Sequence, residues 1–130
     1  MSLIKNTDKY SIGKKWKSFT YALSGLRAFA REEHNLWLYV GGVLGSLVLG
    51  FIFNISHHEW LVQSVVTTLI CSAELMNTAI ENVVDLVSSD FHPLAKNAKD
   101  VASAAVLITA LGGLVIFLLI YGPRFLAFVL

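Results

Sequence analysis

Four polar residues, Glu74, Asn77, Glu81 and Asp85, interrupt an otherwise apolar stretch of the chain. On a helix turning about 100° per residue, with Glu74 at the origin, Asn77 falls near about −60°, Glu81 near about −20° and Asp85 near about +20°. All four share one stripe. Carboxylates at bilayer depth are costly and persist where they pair, bind ions or do chemistry. Magnesium takes hard oxygen ligands, one or two carboxylates with phosphate and water completing the shell. Glu81 suits that role, with Glu33 as a second carboxylate, and Lys99 can meet a phosphate as a point charge. Glu74 lies about two turns deeper, where it is placed to take a proton from an alcohol. Base deep, metal shallow and lysine at the surface is the order needed to carry a γ-phosphoryl from a soluble nucleotide to an embedded alcohol.

The competing reading of the same residues is structural. The carboxylates would pair with Arg31, Lys96 or Lys99 and hold a bundle together. Asp85 and Asp100 are both placed to cap or pair at a helix end. No GxxxxGK[ST] loop and no protein-kinase signature occurs, so soluble kinase folds are excluded.

The elements that must carry these groups follow from composition. The chain has 130 residues, 55% hydrophobic and 15% charged, which is not an ordinary soluble composition. No Lys, Arg, Asp or Glu occurs between His34 and His58, and further apolar runs start at Trp60 and at Val101. The fold expected is an all-α membrane protein in a single domain over residues 1–130. A surface helix at about 14–32 precedes spans at about 36–53, 60–87 and 99–122. Helices so thin need partners to complete a core, so an oligomer is expected.

In the surface helix Trp16, Phe19, Leu23, Leu26 and Ala30 share an apolar face, with Lys14, Lys17 and Arg27 elsewhere, as suits a headgroup layer. Gly41, Gly42, Gly45 and Gly50 in the first span, and Ala98 to Ala105 around the start of the third, read as close-contact surfaces. Trp37 and Trp60 read as interfacial aromatics on opposite sides. Asn54 to Glu59 reads as a short outer turn, whose His57 and His58 have no third metal ligand nearby. Ser88 to Pro93 breaks the second helix, because Pro93 disfavours a helical His92.

The net charge of +1 hides an asymmetry: seven Lys and Arg residues precede the first span, and only Arg124 follows the third. The positive-inside rule places the N-terminus and the second connection in the cytoplasm. The basic residues are juxtamembrane and no recognition motif accompanies them, so nucleic acid is not an expected partner. The lone Cys71 reads as a packing residue. No apolar segment follows the basic N-terminus within thirty residues, so no cleavable signal is expected.

The run AELMNTAIENVVDLV at 73–87, His92, and AKNAKDVASAAVL at 95–107 resemble the small integral-membrane prokaryotic diacylglycerol kinases, which include undecaprenol kinases. GLRAFAREEHN at 25–35 is a weaker match. The resemblance implies a homotrimer in the bacterial cytoplasmic membrane that uses Mg-ATP to phosphorylate a lipid alcohol. The wording ENVVDL and LAKNAKD favours undecaprenol, with diacylglycerol the alternative. By resemblance Glu74 is the general base and Glu33 and Glu81 are the metal ligands. Nucleotide contacts fall on Lys14, Lys17, Tyr21, Asp90, His92, Lys99 and Asp100, and Asn77 and Ser103 lie near the lipid. Lys14 stands where some members carry Arg.

Two other classes compete. A pore or proton-coupled carrier would need polar residues through the full bilayer depth, whereas the first span and the outer halves of the others are apolar. A membrane-anchored interaction protein would have no use for Glu74 inside the membrane.

Overall fold

The computed structural model describes residues 12–88 and 90–130, with side chains from Lys15 onward. The described residues form α1 (Ile12–Glu32), α2 (Leu36–Ile52), α3 (His57–Val87) and α4 (Pro93–Val129), with no strand among them. The chain divides between His34 and Asn35 into two compact units.

The first unit is built on α1. Trp16 packs edge-on against Phe19 with ring centroids 6.0 Å apart, and the apolar residues Trp16, Phe19, Leu23 and Leu26 are exposed. An uncovered apolar face on a basic helix is the pattern of a helix lying in a lipid interface.

The second unit is organised by the pairing of α3 with α4 along their lengths, whereas α2 meets α3 only sparsely. On α3 the inward positions are Gln63, Thr67, Ile70, Glu74, Asn77, Glu81 and Val84, alternately four and three apart. Ala95, Lys99, Ala102, Val106, Thr109 and Gly113 repeat that spacing on α4. A 3.5-residue repeat is the signature of knobs-into-holes packing between two helices. Glu74 and Glu81 therefore lie on the packing seam itself, in positions where apolar residues are the rule.

The tightest packing sits at the other end of this pair. Tyr121 is fully buried, with Ile120 and Ile55 beside it and Phe53, Trp60 and Phe117 around them. Its hydroxyl lies 2.6 Å from Gln63 Oε1 and 3.0 Å from the Ser46 carbonyl, while Gln63 Nε2 donates to that carbonyl at 3.2 Å. One polar knot thus ties α2, α3 and α4 together. The α2–α3 connection is locally encoded. Asn54 takes a positive φ of 45°, and the Ile55 amide donates back to the Gly50 carbonyl at 3.1 Å. This is a Schellman-type stop, with buried Ile55 as its apolar contact. Asn tolerates this left-handed conformation better than other side-chain-bearing residues.

Several expectations need correction. His57, His58 and Glu59 are the first turn of α3 rather than part of a turn. Ser56 Oγ accepts from the Glu59 amide at 3.3 Å and Glu59 Oε2 from the Ser56 amide at 2.7 Å, a capping box that the S-x-x-E spacing announces. Trp60 is a packing residue, 5.1 Å from the Phe51 ring and closed over Gly50, where a Cβ would come within 2.5 Å of the indole. Within a single chain Gly41, Gly42 and Gly45 have open space beside them, so the close contacts expected of them find no partner in the chain itself, and Cys71 is exposed rather than packed. The last helix starts at Pro93 and passes through Pro123 to Val129. Pro123 supplies no amide, and the Arg124 guanidinium donates to the Ile120 carbonyl one turn back.

By length and composition, α4 is the helix that can cross a membrane, with α2 shorter and α3 interrupted by its carboxylates. The buried apolar residues are Ile55, Ala102, Ile120 and Tyr121, while Leu44, Val48, Leu69, Leu107, Leu111 and Leu118 face outward. Water does not tolerate apolar surface on this scale, and lipid does. The protein is a membrane protein.

Tyr121→Phe leaves Gln63 Oε1 buried without its donor and should cost about 1–3 kcal/mol, read from unfolding in detergent. Adding Gln63→Met should recover part of that loss, because both partners are then apolar. At the N-terminal end of α3, Arg124 donates to both Glu59 oxygens at 2.9 and 2.8 Å. That pairing, helped by the Ser56 amide, lowers the Glu59 carboxyl from its ordinary 4.5 to about 2. A lowered folded-state value stabilises above the unfolded value and is lost as protonation sets in. Thermal stability should therefore hold above about pH 4.5 and fall from there towards pH 2. Arg124→Met should flatten that decline, and an unchanged profile would remove the pair from the account.

Candidate functional site

Burial falls steadily along the α3 stripe. Glu74 is 6% exposed, Asn77 and Glu81 are half-buried, and Asp85 is exposed. The helical spacing that puts four polar groups on one face thus also grades their access to water.

Tyr39 on α2 donates its hydroxyl to Glu74 Oε1. A charge-assisted hydrogen bond of this kind fixes the carboxylate's orientation where water cannot solvate it. Asn77 Nδ2 donates to Glu81 Oε1 at 3.0 Å, one turn along the helix. The amide's other atom, Asn77 Oδ1, is buried with no hydrogen-bond partner. A buried acceptor without a donor costs free energy, so the stripe is held in a form that is not optimal for packing alone.

Beyond Glu81 the charges are paired. Lys99 Nζ lies 2.6 Å from Asp85 Oδ1, joining α4 to α3, and Lys96 Nζ lies 2.5 Å from Asp100 Oδ2 within α4. The structural reading of Asp85 and Asp100 as pairing residues describes this geometry. Lys99 is nonetheless the more confined of the two lysines, its side chain 35% exposed against 62% for Lys96. Both ion pairs reach solvent, where exposed pairs are worth little and exchange readily.

The remaining candidates are spread out. His92 Nδ1 accepts from the Leu94 amide at 3.2 Å and caps α4, and the exposed Asp90 accepts from Ser88 Oγ through its carbonyl at 2.8 Å. Ser103 is exposed on α4. In the other unit, Lys17 and Tyr21 are exposed and Glu33 is half-buried. The Lys14 side chain lies outside the described residues. Tyr39 was missed in the sequence. The available signal was a phenol in an aliphatic helix, since a buried hydroxyl requires a partner.

Among the described residues no three His, Cys, Asp or Glu side chains converge as a closed metal cage. An open site that borrows phosphate and water oxygens needs fewer. Glu81 offers one carboxylate of the kind such a site uses, its Oε1 accepting from Asn77 Nδ2.

Residues 20–121 match the prokaryotic diacylglycerol kinase family. The chain is 38% identical over 113 residues to the undecaprenol kinase of Bacillus subtilis, covering 87% of this chain and 92% of that one. It is equally 38% identical over 112 residues to a diacylglycerol kinase of Helicobacter pylori, covering 86% of this chain and 84% of the relative. The diacylglycerol kinase of Escherichia coli K12 is 38% identical over 111 residues, covering 84% and 89%. On a match that spans most of its length, this chain belongs to the prokaryotic diacylglycerol kinase family, a family of membrane lipid kinases.

Proposed function

We propose that the chain transfers the γ-phosphoryl of ATP to the hydroxyl of a membrane lipid, with undecaprenol the first choice and diacylglycerol the second. The observation that carries this is a buried carboxylate, Glu74, held by Tyr39 two turns from a half-buried Glu81. The undecaprenol preference rests on the ENVVDL and LAKNAKD wording and on the likeness to the Bacillus enzyme.

In this reading the lipid hydroxyl meets Glu74, which accepts its proton as the lipid oxygen forms a bond to the γ-phosphorus. The bond from that phosphorus to the bridging oxygen of ADP breaks, and the Glu74 proton later leaves to solvent. Tyr39 is a positioning residue: its hydroxyl holds one carboxylate oxygen and so aims the other. Asn77, whose oxygen has no partner, is placed to meet the lipid hydroxyl or to orient Glu81. Glu81 and Glu33 would hold Mg2+, which supplies charge neutralisation on the phosphate oxygens. Lys99 exchanges Asp85 for a nucleotide phosphate, which carries more negative charge than one carboxylate. Asp100, Asp90, His92, Lys14, Lys17 and Tyr21 are assigned to the nucleotide, and Ser103 to the lipid.

The assembly proposed is a homotrimer in which α2, α3 and α4 each cross the membrane and α1 lies on its cytoplasmic face. The Lys and Arg excess before α2 supports a cytoplasmic N-terminus. The outward apolar surface and the open faces of Gly41, Gly42 and Gly45 support contacts with further copies. The site is then shared between neighbouring protomers, and the whole chain forms one membrane-embedded kinase domain.

The deciding experiment is transfer of labelled phosphate from ATP to prenols and to diacylglycerol in bilayers. Glu74→Gln should lower turnover by ~10²–10⁴ while nucleotide binding persists. Glu81→Gln and Glu33→Gln should instead raise the magnesium requirement. Mixing Glu74→Gln with Glu33→Gln protomers should restore part of the activity. Co-assembled pairs that stay inactive would place the whole site within one chain.

Tyr39→Phe should lower kcat by roughly 10–100-fold, the worth of a hydrogen bond to a charged group, without changing KM for ATP. In the Glu74→Gln background the same substitution should cost almost nothing further, because the two act as a unit. Full additivity would make Tyr39 a packing residue.

A further inference from the structure

Hydrogen bonds join α2 to the other long helices at two heights. Tyr39 donates to Glu74, and the Ser46 carbonyl faces donors from both Gln63 and Tyr121. Seven residues separate Tyr39 from Ser46, two turns and ~10 Å of helix, so both lie on one side of α2. The inward positions of α2 are Leu36, Tyr39, Val43, Ser46 and Gly50. Packing does little to select that face. Leu38, Val40, Leu44, Leu47 and Val48 all point outward, and a helix apolar on every side has no preferred rotation in hydrocarbon. A Cβ at Gly41, Gly42 or Gly45 would meet nothing within 4 Å. Ser46 Oγ donates to the Val43 carbonyl at 2.8 Å inside α2, so the knot grips main chain rather than a side chain that can turn. A backbone carbonyl moves only when its helix moves.

We propose that Gln63 and Tyr121 are remote positioning residues for phosphoryl transfer: by gripping the Ser46 carbonyl they set the rotation of α2 and so aim Tyr39 at Glu74. The proposal rests on the reading of Glu74 as the base and Tyr39 as the donor that orients it. Gln63 stands eleven residues before Glu74 on α3, ~16 Å along the axis, so it acts through α2 and not on the reacting atoms. One hydrogen bond is a pivot, whereas two donors from different helices, themselves bonded to each other, fix a direction. A rotation of about 10° carries a hydroxyl roughly 8 Å from the helix axis through about 1.4 Å. Misplacement by ~1 Å can cost ~10²-fold in a reaction that depends on alignment. The pairing of α3 with α4 runs along their lengths and does not depend on α2. Loss of the knot therefore frees Tyr39 while Glu81 and Lys99 stay in place. The effect should fall on kcat and not on the ATP requirement.

The test separates stability from alignment, with the full chain in lipid nanodiscs. Tyr121→Phe lowers stability but leaves Gln63 on the Ser46 carbonyl, so kcat should fall by less than about threefold. Adding Gln63→Met regains stability yet removes both grips, and kcat should then fall by about tenfold with KM for ATP unchanged. In the Tyr39→Phe background the same pair of substitutions should cost less than about twofold, because its effect passes through Tyr39. Arg124→Met breaks a tie between α3 and α4 alone, so it should lower stability and keep kcat. A kcat that follows stability, lower in Tyr121→Phe than in the double variant, overturns the proposal, as does full additivity with Tyr39→Phe. So does a double variant with wild-type kcat, because a second copy packed on the glycine face then holds α2. A readout without turnover is 3-fluorotyrosine placed at Tyr39. Its fluorine resonance should move in the double variant towards its position in Glu74→Gln, and an unmoved resonance overturns the proposal. If the double variant does not fold, Gln63→Met alone decides through the same resonance and the same coupling to Tyr39→Phe. Wild-type protein that phosphorylates no lipid alcohol would sink the kinase reading, with the resonance still deciding the tie. Transfer left intact by loss of both grips would sink the tie alone.

Discussion

The contact on which the rest of this fold depends is the knot of Tyr121, Gln63 and the Ser46 carbonyl. It is the place where one hydrogen-bonded group from each of α2, α3 and α4 meets, and Tyr121 is the one large side chain fully buried among those described. In hydrocarbon a helix is already satisfied along its backbone, so apolar surface gives it little reason to choose a neighbour. Polar groups that must find partners supply that reason. The knot fixes α2 beside a pair of helices it otherwise barely touches, and so fixes Tyr39, two turns from Ser46 on α2, against Glu74.

The unit is consequently closed at one end and costly at the other. Around Tyr121 the rings of Phe53 and Phe117 pack at centroid distances of 6.1 and 4.8 Å, and the Glu59–Arg124 pair seals the helix ends. Along the opposite half of α3, seam positions that would normally carry Leu or Ile carry Glu74, Asn77 and Glu81. An interface with a buried carboxylate and an unpartnered amide oxygen is a poor solution to packing. A protein keeps such groups where function demands them and places stability elsewhere. The division of labour along α3 and α4 is that compromise expressed in space.

Much of this was legible in the sequence, because it depends on helical periodicity. The polar stripe, the break at Ser88 to Pro93 and an apolar chain of helices follow from spacing and composition. What escaped depends on contacts between helices or on local capping. Ser56-x-x-Glu59 carried a readable helix start that the neighbouring histidines obscured. Trp60 looks like an interfacial aromatic until Gly50 is seen beneath it. Tyr39 could not be joined to Glu74 by any local rule, since they are 35 residues apart on helices that meet sparsely. Pro123 reads as a helix end, yet the Arg124 side chain supplies a donor in the proline's own turn.

The ion pair of Lys99 with Asp85 gains meaning from its place at the end of the burial gradient. Its side chains are 35% and 64% exposed, so the pair contributes little to stability and can open at little cost. Glu81 stands four residues before Asp85 on α3, one turn further in. Were Lys99 to pair with Glu81 instead, it would neutralise a carboxylate that the proposed reaction assigns to the cation. In the proposed reaction, Asp85 is the holding partner that a nucleotide polyphosphate would displace by charge. Under that proposal the two readings of Asp85, as a pairing residue and as part of the stripe, describe one residue before and after nucleotide arrives.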